Sequence, residues 1–206
     1  MKNAETPVIK IVLFGAISSL GSALMAEMLR RQHEVIAILD DLNALAPRPG
    51  LRTKVGSLFD AERVSESIAG SSAVICLLDA KVLPVGAEHD RSDTDLDLQE
   101  QTRATQTLLA GMQRMNIKRL ILVGDFVDMD DSRPMFQSLR ASDVSWTLVN
   151  APQGVAGLSI EHFSQVSSSL EPGLAEPLER LARVAAGIAD ELRLNLHVRE
   201  LVNFLV

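Results

Sequence analysis

The most informative absence in this chain of 206 residues is tyrosine, which does not occur at all. Any mechanism that needs a phenol as general acid is therefore excluded. Cysteine is almost absent too: the single Cys76 cannot form an internal disulfide or a thiolate metal cluster. Such low thiol content is typical of a reducing compartment, and we expect a cytoplasmic protein.

Basic residues are outnumbered by acidic ones. Lysine and arginine total 20 against 27 aspartates and glutamates, which gives a formal net charge of −7 and argues against non-specific binding to nucleic acid or to an anionic membrane. The uncharged stretch 11–26 is interrupted by a glycine and serine turn, so it fits neither a signal sequence nor a membrane span. With 47% hydrophobic residues, the composition predicts one globular domain over 1–206.

Apolar runs alternate with stretches of helical periodicity along the chain. The runs that predict buried strands are Ile9–Phe14, Val35–Leu39, Ala73–Leu78, Leu120–Val123 and Trp146–Val149, with a weaker run at Thr53–Val55 and a last strand at Leu201–Val206. Helical spacing predicts a helix through Leu20 and Met28, a longer one from Ser92 to Asn116, and one after Pro177. This order predicts an α/β fold with a doubly wound, mainly parallel sheet covered by helices on both faces.

Two segments between these elements read as loops, 79–97 and 152–172, because they are rich in glycine and proline or serine. The first contains His89, Asp90 and Asp93, whose spacing matches no calcium or zinc motif. We therefore expect no metal site. His162 and His197 are isolated in the sequence, and we interpret them as surface or packing residues.

A glycine-containing turn follows the first strand and leads into a helix. It reads Gly15-Ala-Ile-Ser-Ser-Leu-Gly21, and this strand, turn and helix context is the one that a dinucleotide-binding fingerprint requires. Ser18 stands where a second glycine lets backbone approach a diphosphate. Its side chain adds bulk there, although the Ser18 and Ser19 hydroxyls could donate to phosphate oxygens. The alternative is a loop that keeps its glycines only for the turn and for packing.

An acidic pair, Asp40-Asp41, follows the second strand. An acidic side chain at this place can bind the two ribose hydroxyls of NAD and would repel the 2′-phosphate of NADP. The alternative is that the pair caps the following turn.

Several segments together resemble the NmrA-like, NAD(P)H-binding group of atypical short-chain dehydrogenases, including its small NADH-flavin reductases. They are Lys10-Ile-Val-Leu-Phe-Gly-Ala, Arg31-Gln-His-Glu-Val, Gly56-Ser-Leu-Phe-Asp60, Ala73-Val-Ile and Ile117-Lys-Arg-Leu-Ile-Leu-Val-Gly124. The resemblance implies a Rossmann-like domain with a nicotinamide cofactor across the carboxyl edge of its sheet. Three departures fall at that cofactor: Ile17 and Ser18 replace threonine and glycine, Asp40 replaces an arginine, and Ser57 replaces an aspartate.

The candidate cofactor-binding residues follow from the turn, the strand ends and the resemblance. They are Gly15, Ile17, Ser18, Ser19, Leu20, Gly21, Asp40, Asp41, Ser57, Leu58, Leu77, Leu78, Val123 and Gly124. The degenerate glycine motif leaves two expectations open, either NAD(H) in preference to NADP(H) or no cofactor.

The usual short-chain dehydrogenase chemistry relies on a tyrosine assisted by a lysine, and this chain has no tyrosine. Hydride transfer to a flavin or quinone needs less help from a side-chain acid, so a reductase of such acceptors stays open. Asp125 could act as a base, although an acidic solvated loop is the simpler interpretation. The other hypothesis is a non-catalytic relative that acts as a redox-sensing, regulatory or interaction module. We expect a dinucleotide and an unknown small acceptor as partners, no nucleic acid or membrane, and a homodimer through the long helix.

Overall fold

The computed structural model describes residues 8–78, 98–126, 133–151, 158–164 and 173–204. Its strands are β1 Lys10–Phe14, β2 Glu34–Leu39, β3 Leu51–Val55, β4 Ala73–Leu77, β5 Arg119–Gly124, β6 Ser145–Asn150 and β7 Glu200–Asn203. All seven are parallel and form one sheet in the order β3-β2-β1-β4-β5-β6-β7. The strand order reverses between β1 and β4, which is where a doubly wound sheet opens a crevice at its carboxyl edge.

Helices cover both faces of this sheet. They are α1 Ser19–Arg30, α2 Ala61–Ile68, α3 Leu98–Met115, α4 Pro134–Ala141, α5 Ile160–Ser164 and α6 Ala175–Leu194. Ile11 and Leu13 of β1 pack with α1, α5 and α6, whereas Val12 and Phe14 pack with α2, α3 and α4. The alternation follows from the pleat, which turns successive side chains to opposite faces. The predicted α/β doubly wound fold is confirmed.

Several local predictions are also confirmed. The five strong strand predictions correspond to β1, β2, β4, β5 and β6, and the weak one at Thr53–Val55 lies within β3. Asn116 follows α3 with a positive φ of 54°, the left-handed conformation that ends helices. Pro177 lies in the first turn of α6, where its missing N–H costs nothing.

Other predictions need correction. The expected loop 152–172 contains the short helix α5, and α2 and α4 were not predicted. Segment 79–97, which includes the predicted helix start at Ser92 and also His89, lies outside the described residues. The last strand starts at Glu200, one residue earlier than predicted, and ends at Asn203. Within the part of the chain that the structure describes, no helix is long and apolar enough to cross a membrane.

A buried ion pair holds α6 against the sheet at its amino edge, far from the carboxyl edge. An Arg119 Nη donates to Glu191 Oε1 at 2.9 Å, and the two residues are 8% and 4% exposed. The Thr147 hydroxyl donates to the His197 carbonyl, and His197 Nδ1 lies 2.9 Å from Glu191 Oε2. His197 therefore has a structural role, because the fold brings its ring to a glutamate six residues away.

Candidate functional site

The two glycines of the first turn have the structural roles that the fingerprint assigns to them. Gly15 has a φ of +82°, which side-chain-bearing residues rarely adopt, and this makes the sharp exit from β1. A Cβ on Gly21 would lie 2.2 Å from the Gly15 carbonyl oxygen. Only glycine at position 21 therefore lets α1 start so close to the end of β1.

The Ser18 side chain makes both of its hydrogen bonds within the turn. Its Oγ accepts from the Gly21 N–H at 3.0 Å and donates to the Gly15 carbonyl at 2.9 Å, so it is the N-cap of α1. The proposed donation from this hydroxyl to a phosphate is not what the structure shows, because the hydroxyl proton is already used within the turn. The next two N–H groups, those of Ser19 and Leu20, have no acceptor among the described residues. They are the free donors that a helix start offers to an anion.

An open cleft of about 630 Å³ lies beside this turn, at the carboxyl ends of β1, β2 and β3. It is lined by Phe14, Gly15, Ala16, Ile17, Ile38, Leu39, Asp40, Asp41, Val55, Gly56, Ser57, Leu58, Phe59 and Arg63. Ser18 is not among the lining residues. Its hydroxyl is held within the turn, so the side chain is not part of the cleft wall.

The described lining of the cleft carries more acidic than basic side chains. Asp40 and Asp41 are exposed on its wall, and the Asp41 carboxylate also accepts from the Asn43 N–H at 2.9 Å. Among the described residues that line the cleft, Arg63 is the one basic residue, and its Nε lies 3.7 Å from the carboxylate of Asp60, which caps α2. The cleft therefore presents two carboxylates and a guanidinium that already has an acidic neighbour.

The neighbouring strand ends are apolar. A Cβ on Gly15 would lie 2.8 Å from Leu77 Cβ, so the end of β4 packs directly on the turn. Leu78 and Val123 are 2% exposed, and Phe126 is 1% exposed beside Gly124. The described residues that end β4, β5 and β6 include one ionisable side chain, the exposed Asp125.

Comparison with known proteins identifies the family. The sequence profile of the NAD(P)H-binding family matches residues 15–188, which is most of the chain. The chain belongs to this NAD(P)H-binding family. The resemblance to its NmrA-like members is thereby confirmed, and the family assigns a nicotinamide dinucleotide as cofactor. A direct comparison with curated proteins gave no significant match.

Several solved structures share the fold of this chain. A Rossmann-fold NAD(P)-binding protein from Shigella flexneri is 14% identical with a TM-score of 0.65, covering 96% of this chain and 93% of its own. An oxidoreductase from Lactococcus lactis is 13% identical with a TM-score of 0.64, covering 95% and 90%. The Bordetella bronchiseptica enzyme WbmH, solved in complex with NAD⁺, is 13% identical with a TM-score of 0.62, covering 96% and 76%. At these identities the likeness shows the Rossmann fold alone.

The residues of this NAD(P)H-binding protein fit a dinucleotide. The turn is free of side chains at Gly15, the α1 start has free N–H groups, and the cleft beside them is open. Six of the predicted cofactor residues line the cleft: Gly15, Ile17, Asp40, Asp41, Ser57 and Leu58. Ser18, Ser19, Leu20 and Gly21 form the adjoining helix start, and Leu77, Leu78, Val123 and Gly124 lie at the ends of β4 and β5.

Sequence reasoning missed Phe59 and Arg63 of the cleft. Phe59 is the last residue but one before α2, and Arg63 lies in the first turn of that unpredicted helix. The signal that could have located them is Asp60, whose carboxylate accepts from the N–H groups of Glu62 and Arg63 as an N-cap.

The described histidines have structural partners. His33 is 3% exposed with Nδ1 facing the Ile9 N–H, and His162 Nδ1 accepts from the Ser159 N–H at the start of α5. Among the residues that the structure describes, no group of three histidine, cysteine or acidic side chains could hold a metal ion. Cys76 is fully buried in β4, and Trp146 is 1% exposed in the core, as the sequence predicts.

Proposed function

We propose that this protein binds NAD(H) in preference to NADP(H) and uses it to reduce a flavin-like or quinone-like acceptor. The observation that supports the cofactor preference is the position of Asp40 and Asp41 on the wall of the cleft, directly after β2. Vicinal hydroxyls of an unmodified ribose donate to a carboxylate, whereas a 2′-phosphate would meet like charge. Arg63 offsets this only in part, because Asp60 lies beside it.

The rest of the dinucleotide follows the sheet edge. The N–H groups of Ser19 and Leu20 would hold the diphosphate, and Gly56–Phe59 would form the wall next to the adenine. The nicotinamide end would lie over Leu78 and Gly124, where the apolar surroundings exclude water. Bound reduced nicotinamide supplies a hydride, which is the only chemistry that the cofactor must contribute.

The acceptor class follows from the side chains that are present, and absent, near the nicotinamide end of the sheet. Carbonyl reduction needs a positioned acid, and the tyrosine that supplies it in short-chain dehydrogenases is absent from this chain. Flavins and quinones accept a hydride at an electrophilic ring position and take their proton from solvent. They are therefore the acceptors that the apolar strand ends can serve, whose described residues include one exposed carboxylate, Asp125.

The acceptor assignment is tested by following NADH oxidation with riboflavin, flavin mononucleotide and a soluble quinone, and with a ketone as the control acceptor. We expect turnover with at least one ring acceptor and none with the ketone. NADH binding without turnover on any acceptor would contradict the reductase assignment and favour the redox-sensing alternative. Faster turnover with the ketone would contradict the argument from the missing tyrosine.

A further inference from the structure

The chain that follows Asp40 connects β2 to β3 and is mostly exposed to solvent. We refer to residues 41–50 as the β2–β3 loop. Of these residues, all of which the structure describes, only Leu45 and Arg48 are not exposed. Leu45 packs against the core between α1, α6 and the sheet. Between its two strands, the loop is therefore held mainly by one apolar contact and by the partners of Arg48.

The Arg48 side chain reaches from the β2–β3 loop to α5. Its Nη2 donates to Glu161 Oε1 at 2.7 Å, and its Nη1 lies 3.4 Å from the Ser164 hydroxyl. The Arg48 side chain is 20% exposed and that of Glu161 is 50% exposed. Ile160 is completely buried and Phe163 packs against the same core as Leu45, so α5 is a fixed support. The ion pair ties an exposed loop to a helix that is packed on the body of the protein.

The sequence around Arg48 reduces the entropy that this ion pair costs. Proline stands on both sides of Arg48, at Pro47 and Pro49. A proline fixes its own φ, and a residue that precedes a proline is restricted in its backbone as well. Exposed ion pairs usually contribute little because two long side chains must be ordered. Here part of that ordering is already present in the backbone that carries the guanidinium.

Both members of the pair are charged at neutral pH. Hydrogen bonds from the Ser159 side chain and from its own N–H, together with Arg48, hold the pKa of Glu161 below its ordinary value of 4.5. Arginine stays protonated throughout this range. The attraction between α5 and the β2–β3 loop is therefore present under the conditions in which a nucleotide binds.

The position of the β2–β3 loop sets the acidic wall of the cleft. Asp40 and Asp41 line the cleft at the start of the loop. The Asp41 carboxylate accepts from the backbone N–H of Asn43 at 2.9 Å and from its side-chain amide at 3.0 Å. Because these bonds lie within the loop, a movement of the loop carries the carboxylate with it.

We propose that the ion pair between Arg48 and Glu161 is a positioning interaction for the dinucleotide, which holds the β2–β3 loop where the acidic wall meets the ribose hydroxyls of NAD(H). The inference rests on the proposed preference for NAD(H) and assigns that preference a determinant outside the cleft. Neither residue is among the described residues that line the cleft. The pair acts through the loop and does not touch the cofactor.

The test compares Glu161→Gln with Asp190→Asn in titrations with NADH and with NADPH. The control removes a pair of the same N···O distance, 2.7 Å, whose carboxylate is also 50% exposed, but which joins the end of α1 to α6. We expect Glu161→Gln to lower the ratio of NADH affinity to NADPH affinity by about threefold, within the range of an exposed ion pair, and Asp190→Asn to leave it unchanged. A general loss of stability would weaken both nucleotides alike and would not change the ratio.

Two variants of Arg48 show whether the contact itself is responsible. Arg48→Gln should lower the affinity ratio as Glu161→Gln does, and the double variant should lower it no further, because both changes remove the same contact. Arg48→Lys keeps the charge and should restore most of the ratio. Additive effects of Arg48→Gln and Glu161→Gln would contradict a shared contact.

Hydrogen exchange without nucleotide separates this proposal from the proposed function. The N–H groups of Asn43 and Leu51 are bonded within the loop, to the Asp41 carboxylate and to the Arg48 carbonyl. They should exchange about threefold faster in Glu161→Gln and at the wild-type rate in Asp190→Asn. Unchanged exchange, or an unchanged affinity ratio in folded Glu161→Gln, would overturn the positioning role alone. Faster exchange in a protein whose wild type shows no preference for NADH would overturn the proposed cofactor preference and the role built on it.

Discussion

Ser18 is the residue at which the chain departs most from a dinucleotide fingerprint, and its effect depends on where its hydroxyl points. The Oγ caps α1 by accepting from Gly21 and donating to Gly15, and the side chain does not line the cleft. The serine therefore substitutes for the middle glycine by folding its side chain into the turn. The sequence pattern predicted the turn but not the orientation of the Ser18 side chain. A serine at this position can either cap the helix or donate to a phosphate, so its identity does not distinguish the two roles.

This orientation gives a prediction at position 18. Ser18→Gly should leave NADH affinity within about twofold of wild type, because no bulk is removed from the cleft, and should cost only a few tenths of a kcal/mol, since glycine is a tolerated N-cap. Ser18→Ala should lower the free energy of unfolding by about 1 kcal/mol through loss of the cap. Urea denaturation and NADH titration measure the two effects. A tenfold gain in NADH affinity on Ser18→Gly would show that the side chain obstructs the diphosphate after all.

At the scale of secondary-structure elements, the buried Arg119 and Glu191 pair fixes α6 on β5 and β6. Burial raises the pKa of Glu191, but hydrogen bonds from His197 and the Arg119 charge outweigh this, and the pKa lies below the ordinary value of 4.5. Burial lowers the pKa of Arg119, although the Glu191 charge and hydrogen bond act in the opposite direction. An arginine stays protonated in spite of this, so both groups are charged at neutral pH.

The Glu191→Gln variant tests the pair. The change leaves Arg119 charged and uncompensated, so we expect the free energy of unfolding to fall by about 3 kcal/mol at pH 7. The folded-state pKa of Glu191 is depressed, so its stabilisation is present above the unfolded value of 4.5 and is lost as the pH falls through the folded value. The difference between wild type and variant should therefore shrink below pH 4.5. NADH affinity should not change, because the pair lies at the opposite edge of the sheet. A constant difference across this pH range would contradict the role of the Glu191 charge.

The buried strands could be predicted from the sequence more readily than the short helices. β1, β2, β4, β5 and β6 are buried on both faces, so their continuous apolar runs are evident in the sequence. Helices α2 and α4 have eight residues each and α5 has five, too few turns for a periodicity to stand out. For the candidate site, the predicted strand ends place Gly15 and Asp40, and both residues line the cleft. Arg63 of the cleft was missed because it lies in the first turn of α2, a helix that the sequence pattern did not predict.

Across the molecule, an acidic cleft and a row of apolar strand ends lie along one edge of a parallel sheet. The cleft over β1, β2 and β3 presents Asp40 and Asp41, and Leu78, Val123 and Phe126 are buried at the ends of β4 and β5. A switch in strand order between β1 and β4 opens the crevice that separates these halves. Fold alone does not decide function, so the proposed function depends on the side chains at this edge and not on the sheet itself.

The most direct test of the account is a calorimetric titration of the wild-type protein with NADH and with NADPH, accompanied by Asp40→Arg and by Glu179→Arg as a control of equal charge on the exposed side of α6. We predict that NADH binds at one site at least about tenfold more tightly than NADPH, and that NADH at one hundred times its dissociation constant adds about 2.7 kcal/mol of stability. Asp40→Arg should reverse the preference, and Glu179→Arg should leave it unchanged. Absence of binding by either nucleotide, or a preference for NADPH in the wild-type protein, would contradict the account.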